Sequence, residues 1–138
     1  MFLAVSEAEL HELLKQVSFT RQYGFKLHSF DVGECTMIVP FQKDFERPGG
    51  VVAGQVFMAA ADVAMWLAIM TRLGKSDGSV TAEMKTNFLS GAREEDILCR
   101  AKILKLGRRL IYGVAECTNL GGKLLTHHTI TYIRTEKS

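Results

Sequence analysis

One apolar stretch dominates what this chain can fold into: GQVFMAAADVAMWLAIMTRL, residues 54–73, is almost wholly apolar and contains one carboxylate, Asp62. A helix that is apolar all round is either the core of a globular protein or a membrane span. A carboxylate near the bilayer centre costs about 2.5–3.5 kcal/mol on insertion scales. The residues that follow alternate as a sheet does. We therefore predict a buried core helix from Gly54 to Leu73, ended by Gly74, and no membrane association.

Shorter patterns place the other elements around this helix. Ser6-Glu7-Ala8-Glu9 is a capping box, which predicts a helix to about Val17. Alternating apolar residues separated by glycine turns predict strands, and the segment with Pro48, Gly49 and Gly50 predicts a loop. The predicted elements besides the two helices are two strands within 25–39, a loop over 41–50, and strands over 80–88, 96–106, 110–119 and 123–134.

The order of these elements predicts an α+β fold. A highly curved antiparallel sheet wrapped around one buried helix fits the order, because the sheet supplies one apolar face and the helix fills it. No linker divides the chain, so we expect one domain over residues 1–138. In the strand after the helix, Val80, Ala82, Met84 and Phe88 share one phase. That phase puts Thr81 on the opposite face, pointing away from the helix.

Composition and charge exclude several classes of function. The net charge is +2 and there is no basic block, which argues against nucleic acid as a partner. The three cysteines have no CxxC spacing, so we expect reduced buried thiols and no disulfide scaffold or zinc site. His127 and His128 are adjacent on a strand and point to opposite faces, so we predict no metal. No secretory signal is evident, which makes the cytoplasm the expected location.

The loop and helix start resemble a known family. Arg47, the triplet Ala53-Gly54-Gln55 and Asp62, nine residues after Ala53, occupy a frame similar to that of the hot-dog-fold acyl-CoA thioesterases of the PaaI-like (phenylacetate-degradation) type. That family has Asn, then His-Gly-Gly, then an acid nine residues after the His. Only Gly54 and Asp62 match unchanged. The RPGG segment resembles a variant loop of the same fold, and the later VTAEMKTNFLSGA resembles the family's next strand.

The resemblance implies a hot-dog fold and an acyl-CoA thioesterase. Asp62 would be the nucleophile or general base, the backbone N–H of Gly54 would stabilise the oxyanion, and Thr81 would help position water. No cofactor is expected beyond the coenzyme A of the substrate. Because the family His is absent, the alternative is a non-catalytic protein that binds acyl-CoA or another acyl thioester. The candidate substrate-binding residues are Arg47, Gln55, Asn87, Lys105, Arg108 and Arg109.

Two of these assignments have competing explanations. Arg47 could bind a substrate carbonyl or carboxylate through its bidentate guanidinium, or it could pair with Glu46 or Asp44 as a surface charge. The basic hairpin around residues 105–109 could bind the phosphates of coenzyme A, or it could be a charged turn that protects a sheet edge. The sequence leaves both pairs of alternatives open.

Helix geometry predicts assembly. Gly54 and Asp62 are eight residues apart, so they are separated by about 12 Å along one helix. They cannot both contact the same carbonyl group from one chain. A two-fold dimer with antiparallel helices would bring Gly54 of one subunit to Asp62 of the other. The family resemblance implies the same shared site, so we expect a homodimer or a homotetramer.

Overall fold

The computed structural model describes residues 2–135, so residues 1 and 136–138 of the predicted domain lie outside the described residues. The helices are α1 (Glu7–Gln16), α2 (Ser18–Tyr23) and α3 (Gly54–Leu73). The strands are β1 (Lys26–Asp31), β2 (Glu34–Val39), β3 (Glu46–Arg47), β4 (Val51–Val52), β5 (Val80–Phe88), β6 (Ile97–Leu106), β7 (Leu110–Asn119) and β8 (Leu124–Ile133), with a 3-10 turn at Lys43–Phe45.

Six strands form one antiparallel sheet in the order β1-β2-β6-β7-β8-β5, and β3 pairs with β4 as a separate two-residue ribbon. The sheet wraps around α3, whose side chains pack mainly on β2, β6 and β7. This arrangement buries the apolar face of the sheet and the apolar surface of the helix in one core. The predicted α+β hot-dog fold is confirmed.

The core helix has the bounds that its composition predicts. It begins at Gly54 and ends at Leu73, and Gly74 follows at the C-cap. Gly113 on β7 allows α3 to approach the sheet closely, because a Cβ there would collide with the end of the Met65 side chain and with the carbonyl of Lys102. The helix is long and apolar enough to cross a membrane, but 67% of its apolar window is buried inside the protein.

The N-terminal region is partly as predicted. The capping box of α1 is present: Ser6 Oγ accepts from the Glu9 amide at 3.1 Å, and Glu9 Oε1 accepts from the Ser6 amide at 3.0 Å. The sequence patterns did not predict α2. That helix is held by Thr20, which is fully buried and donates its hydroxyl to the carbonyls of Leu14 and Val17 at 2.8 and 2.9 Å. Its amphipathic signal is short, so only packing reveals it.

Strand β5 lies at one end of the sheet and is mostly exposed. Val80, Phe88 and the following Leu89 are 53%, 55% and 56% exposed, although all three are large and apolar. An edge strand presents unpaired backbone N–H and C=O groups along its free side. The β5 edge therefore combines free hydrogen-bonding groups with apolar side chains, as a surface that pairs with another chain does.

Candidate functional site

Asp62 lies on the third turn of α3 and is held by two hydroxyl groups from the sheet. Thr81 Oγ1 donates to Asp62 Oδ1 at 2.7 Å, and the Tyr132 hydroxyl lies 2.8 Å from the same oxygen and 3.0 Å from the Asp62 carbonyl. Thr81 and Tyr132 are direct cross-strand neighbours on β5 and β8. Hydrogen bonds to a charged acceptor are stronger than neutral ones, so the two hydroxyls fix the orientation of the carboxylate.

The position of Thr81 corrects the expectation that its hydroxyl faces away from the helix. A β-bulge lies between Thr81 and Glu83, so Ala82 is an extra residue in the ladder. The bulge shifts the alternation by one residue. Thr81 and Met84 pair across the sheet with the buried Tyr132 and Ile130, so both lie on the face toward α3. Strict period-two alternation cannot reveal such a shift.

Tyr132 is a site residue that the sequence interpretation missed. Burial raises the pKa of its hydroxyl, and the charge of Asp62 raises it further. The group is therefore a hydrogen-bond donor at neutral pH. The sequence contains a signal for this contact. Tyr132 has the same inward phase as His128 and Ile130, and a Tyr in a core requires a hydrogen-bond partner for its hydroxyl. Asp62 is the only carboxylate on the core helix.

Asp62 is half-buried, not fully buried as an all-apolar helix predicts. It opens into a cavity of about 380 Å³ at the outer side of α3. The walls of this Asp62 cavity combine apolar side chains with the polar segment that precedes β5. They are Phe19, Val63, Trp66, Asp77, Gly78, Ser79, Val80, Thr81 and Tyr132. A ligand in this cavity would contact the carboxylate directly.

Gly54, the first residue of α3, lines a different cavity of about 430 Å³. We call it the Gly54 cavity; its other walls are Arg47, Val51, Val52, Phe57, Phe88, Leu89, Ser90 and Gly91. No side chain caps this end of the helix, so its first amides are not used by a capping residue. A Cβ on Gly54 would lie 3.0 Å from the Phe88 ring, which explains the glycine. In one chain, Gly54 and Asp62 therefore serve two separate cavities.

Of the other loop and strand candidates, only Arg47, which is exposed, lines the Gly54 cavity. Glu46, which was one expected partner of Arg47, instead contacts Lys43 at 2.9 Å. Gln55 is exposed in the first turn of α3, and Asn87 is exposed on β5 opposite His127. Neither Gln55 nor Asn87 is among the residues that line the two cavities.

Two of the three basic hairpin candidates meet in a third cavity, of about 740 Å³, at the C-terminal end of α3. We call it the arginine cavity. Arg108 and Arg109 line it together with Arg134, which the sequence interpretation did not select. Arg134 donates from Nη1 to the Gly107 carbonyl at 3.1 Å. Asp77 lines both this cavity and the Asp62 cavity, so the two adjoin. Lys105 lies apart on β6, opposite Tyr112.

A second polar cluster lies deeper between β5 and β8. His128 is fully buried; its Nδ1 is 2.8 Å from Thr86 Oγ1 and its Nε2 is 2.8 Å from Thr126 Oγ1. Cys117 Sγ is 3.9 Å from Nε2. Cys99 and Cys117 are buried cross-strand neighbours, and the interaction of their thiols raises the pKa of Cys99 and lowers that of Cys117. Across residues 2–135, no group of three or more His, Cys, Asp or Glu side chains could hold a metal.

Comparison of the sequence with known proteins identifies a family. Residues 49–126 match the model of the Thioesterase superfamily, and this range includes Gly54, Asp62, Thr81 and the basic hairpin. A Saccharolobus solfataricus protein named as an esterase is 32% identical over 111 residues, which cover 80% of this chain and 73% of that protein. A second esterase by name from the same organism is 31% identical over 99 residues, covering 72% and 70%.

Solved structures show the same architecture. A protein from Silicibacter sp. TM1040, described as a thioesterase, superposes with a TM-score of 0.88 at 30% identity, covering 99% of this chain and 96% of that one. The PaaI protein of the Escherichia coli phenylacetic acid degradation operon superposes with a TM-score of 0.83 over 93% and 91%. At 15% identity, the second likeness concerns the fold alone.

Proposed function

Because this chain belongs to the thioesterase superfamily and is a thioester hydrolase, we propose that it hydrolyses acyl-CoA thioesters with the carboxylate of Asp62 as the reactive group. The observation that carries this proposal is the pair of hydroxyl donors on Asp62 Oδ1, at 2.7 and 2.8 Å, beside an open cavity. Both donors hold the carboxylate in one orientation. Family membership favours hydrolysis over the alternative of binding without hydrolysis.

The reaction needs a nucleophile, an oxyanion donor and a leaving thiol. Asp62 either attacks the thioester carbonyl directly or removes a proton from a water that attacks it. The carbonyl oxygen gains the negative charge, and a backbone N–H at the start of α3 stabilises it. The C–S bond then breaks. In the general-base route, the departing thiolate takes up the proton that Asp62 removed from water. In direct attack, the thiolate leaves an acyl anhydride on Asp62, and a water then hydrolyses the anhydride, which restores the carboxylate and supplies the proton of the thiol. The net reaction consumes one water and releases a carboxylic acid.

We propose that the oxyanion donor comes from a second copy of the chain. Gly54 and Asp62 are separated by about 12 Å along α3, and they line different cavities. The exposed edge of β5, with Val80 at one end and Phe88 at the other, supports antiparallel pairing with the same strand of a partner. Such pairing would bring the Gly54 cavity of one subunit against the Asp62 cavity of the other.

The arginine cavity fits the phosphates of coenzyme A. Three arginines, Arg108, Arg109 and Arg134, line it with one acidic residue, Asp77. Guanidinium binds phosphate oxygens in a bidentate way, so the excess positive charge favours a polyanionic group. The cavity adjoins the Asp62 cavity, which lets one substrate reach both. Arg47, Gln55, Asn87 and Lys105 stay as proposed contacts to the rest of the substrate.

A complementation experiment tests the shared site. Asp62→Asn and Gly54→Val are each expected to be inactive, the second because its side chain blocks approach to the helix start. When the two are co-expressed, about a quarter of wild-type activity should return, since half of the dimers are mixed and each mixed dimer has one intact site of two. Mixed dimers that form but show no more activity than the separate variants would contradict the proposal. Gly54→Ala is the milder second variant if Gly54→Val does not fold.

An isotope experiment separates the two roles of Asp62. In a single turnover in ¹⁸O-labelled water, direct attack forms an anhydride, and water that attacks its Asp62 carbonyl leaves the label in the Asp62 carboxylate and the protein's own oxygen in the product. Label in Asp62 therefore shows direct attack. General-base catalysis puts the label into the carboxylic acid product and leaves Asp62 unlabelled. Mass spectrometry of the peptide that contains Asp62 measures the difference.

The phosphate assignment has its own test. Arg108→Gln with Arg109→Gln should raise KM for an acyl-CoA by about 10-fold or more, because charge-assisted hydrogen bonds to phosphate are lost. KM for the same acyl group on N-acetylcysteamine, which has no phosphate, should not change. Arg100→Gln, on an exposed part of β6, is the matched control. An equal rise in KM for both thioesters would show that these arginines do not bind phosphate.

A further inference from the structure

The Asp62 cavity has one wall from outside the sheet and core helix. Trp66 and Val63 come from α3 and Val80 from β5, whereas Phe19 comes from α2. Residues 18–23 precede the part of the chain that matches the family model. Phe19 is 49% exposed, so it contributes little to the core. Its ring instead forms part of the boundary of the space beside the Asp62 carboxylate.

The position of Phe19 is fixed by its neighbours. Thr20, the next residue, is fully buried and anchors α2 through its two hydroxyl contacts. At the other end of α2, the Tyr23 ring stacks on Phe25 with centroids 4.9 Å apart and contacts Phe45 at 5.8 Å. With both ends of this short helix anchored, Phe19 is held over the cavity on a supported element. An aromatic ring held in place by its surroundings can select ligands by their shape.

The chemistry of the two adjoining cavities indicates which part of the substrate each one binds. The arginine cavity suits the phosphates, whereas Phe19 and Trp66 suit an apolar group. An acyl-CoA has its apolar acyl group on one side of the thioester and its phosphates on the other. The acyl group therefore belongs beside Phe19 and Trp66. The part of the cavity that one chain forms is about 380 Å³, near the small end of ligand pockets, which span about 300–1,000 Å³.

We propose that Phe19 is a specificity-determining residue that walls one side of the acyl cavity and limits the substrate to compact acyl groups, meaning short chains or a single ring. Phe19 takes no part in bond breaking. It acts through the space that it leaves between α2 and Trp66. Long straight acyl chains are excluded because they would have to displace its ring. This inference rests on the proposed hydrolysis of acyl-CoA at Asp62.

The test compares kcat/KM across straight-chain acyl-CoAs from acetyl to palmitoyl, with benzoyl-CoA as a single-ring substrate. Wild-type protein should favour the compact members and lose activity steeply as the chain lengthens. Phe19→Ala should raise long-chain activity relative to short-chain activity by about 10-fold or more, since each methylene in a pocket is worth about 10–200-fold. Phe19→Trp should narrow the range further. Phe2→Ala removes a ring that is 88% exposed and serves as the control.

The outcomes separate this inference from the proposed function. If wild-type protein hydrolyses acyl-CoAs and Phe19→Ala keeps the wild-type chain-length profile, Phe19 does not set specificity and the inference is wrong. A wild-type preference for palmitoyl-CoA would also overturn it. Failure of the proposed function has a different signature, which is unchanged hydrolysis by Asp62→Asn. If Phe19→Ala does not fold, Phe19→Leu is the variant that shortens the ring with less loss of packing.

Discussion

Two polar clusters lie on the same pair of strands and differ in their access to solvent. Thr81 and Tyr132 form one cross-strand pair on β5 and β8, and Thr86 and His128 form another farther along the same strands. Both pairs face α3. The first holds the half-buried carboxylate of Asp62 at a cavity, whereas the second surrounds a fully buried imidazole.

The comparison shows that residue type alone does not identify a reactive site. A histidine between hydroxyls, with cysteines nearby, is a familiar catalytic combination, yet His128 has no exposed surface and both of its ring nitrogens have Thr partners. A buried polar network with its hydrogen bonds satisfied stabilises and specifies the core. Asp62, in contrast to His128, opens into a cavity and is the group that a substrate can reach.

Asp62→Asn should have the largest effect on activity. We expect kcat to fall about 10²-fold or more, the scale of a lost general base. The unfolding free energy should change little, because the amide oxygen of Asn can still accept from Thr81 and Tyr132. Steady-state kinetics and thermal melting measure both quantities. Asp31→Asn, at an exposed turn, is the matched control, and wild-type kinetics from Asp62→Asn would refute a reactive role.

His128→Ala should have the opposite profile. It leaves the hydroxyls of Thr86 and Thr126 without their partner in the core, so the unfolding free energy should fall by about 1–3 kcal/mol or more. The kcat of the folded fraction should stay at the wild-type value. Denaturant unfolding together with kinetics checks this, with His127→Ala on the opposite face as the control. A loss of kcat without a loss of stability would make His128 a participant in the reaction.

Thr81→Val removes one hydroxyl and keeps the shape of the side chain. Because Thr81 donates to a carboxylate, we expect kcat to fall by about 10-fold, within the range for a hydrogen bond to a charged group. Thr86→Val makes the same chemical change five residues farther along β5 and should reduce stability without reducing kcat. The two variants compared by kinetics and melting sharpen the distinction between the clusters. If Thr81→Val and Thr86→Val lowered kcat equally, the two clusters would not differ in their role in the reaction.

Tyr132→Phe removes the second hydroxyl donor to Asp62, and its distinctive effect is on the unfolding free energy at high pH. Burial and the Asp62 charge raise the Tyr132 pKa in the folded protein, whereas an unfolded Tyr titrates near about pH 10. Above that pH the unfolded state loses its proton first, so wild-type stability should decrease as pH rises. Tyr132→Phe should lack this part of the decrease. Unfolding curves across alkaline pH measure the slope, and parallel slopes would contradict the assignment.

Local patterns in the sequence determined the elements of this protein. The apolar run and Gly74 bounded α3, the capping box began α1, and period-two alternation located the main strands. These features depend on neighbours within a few residues, so they are visible without a fold. The spacing of Gly54 and Asp62 resembles that of the thioesterases. The rise of an α-helix is enough to place the two residues about 12 Å apart. Because that separation needs only the residue numbers and the rise of a helix, the sequence by itself predicts a shared site.

Only the tertiary structure decided which side chains meet. The bulge at Ala82 reversed the facing of Thr81, because one inserted residue changes the phase of a strand without changing its composition. Tyr132 lies in the Asp62 cavity and Arg134 in the arginine cavity because the fold brings distant segments of the chain together. The packing of α2 places Phe19 beside Asp62, and no local sequence pattern predicts that packing. Solvent access is likewise a property of the packed molecule. Asp62 reaches a cavity and His128 does not, because depth in the sheet is set by the whole fold.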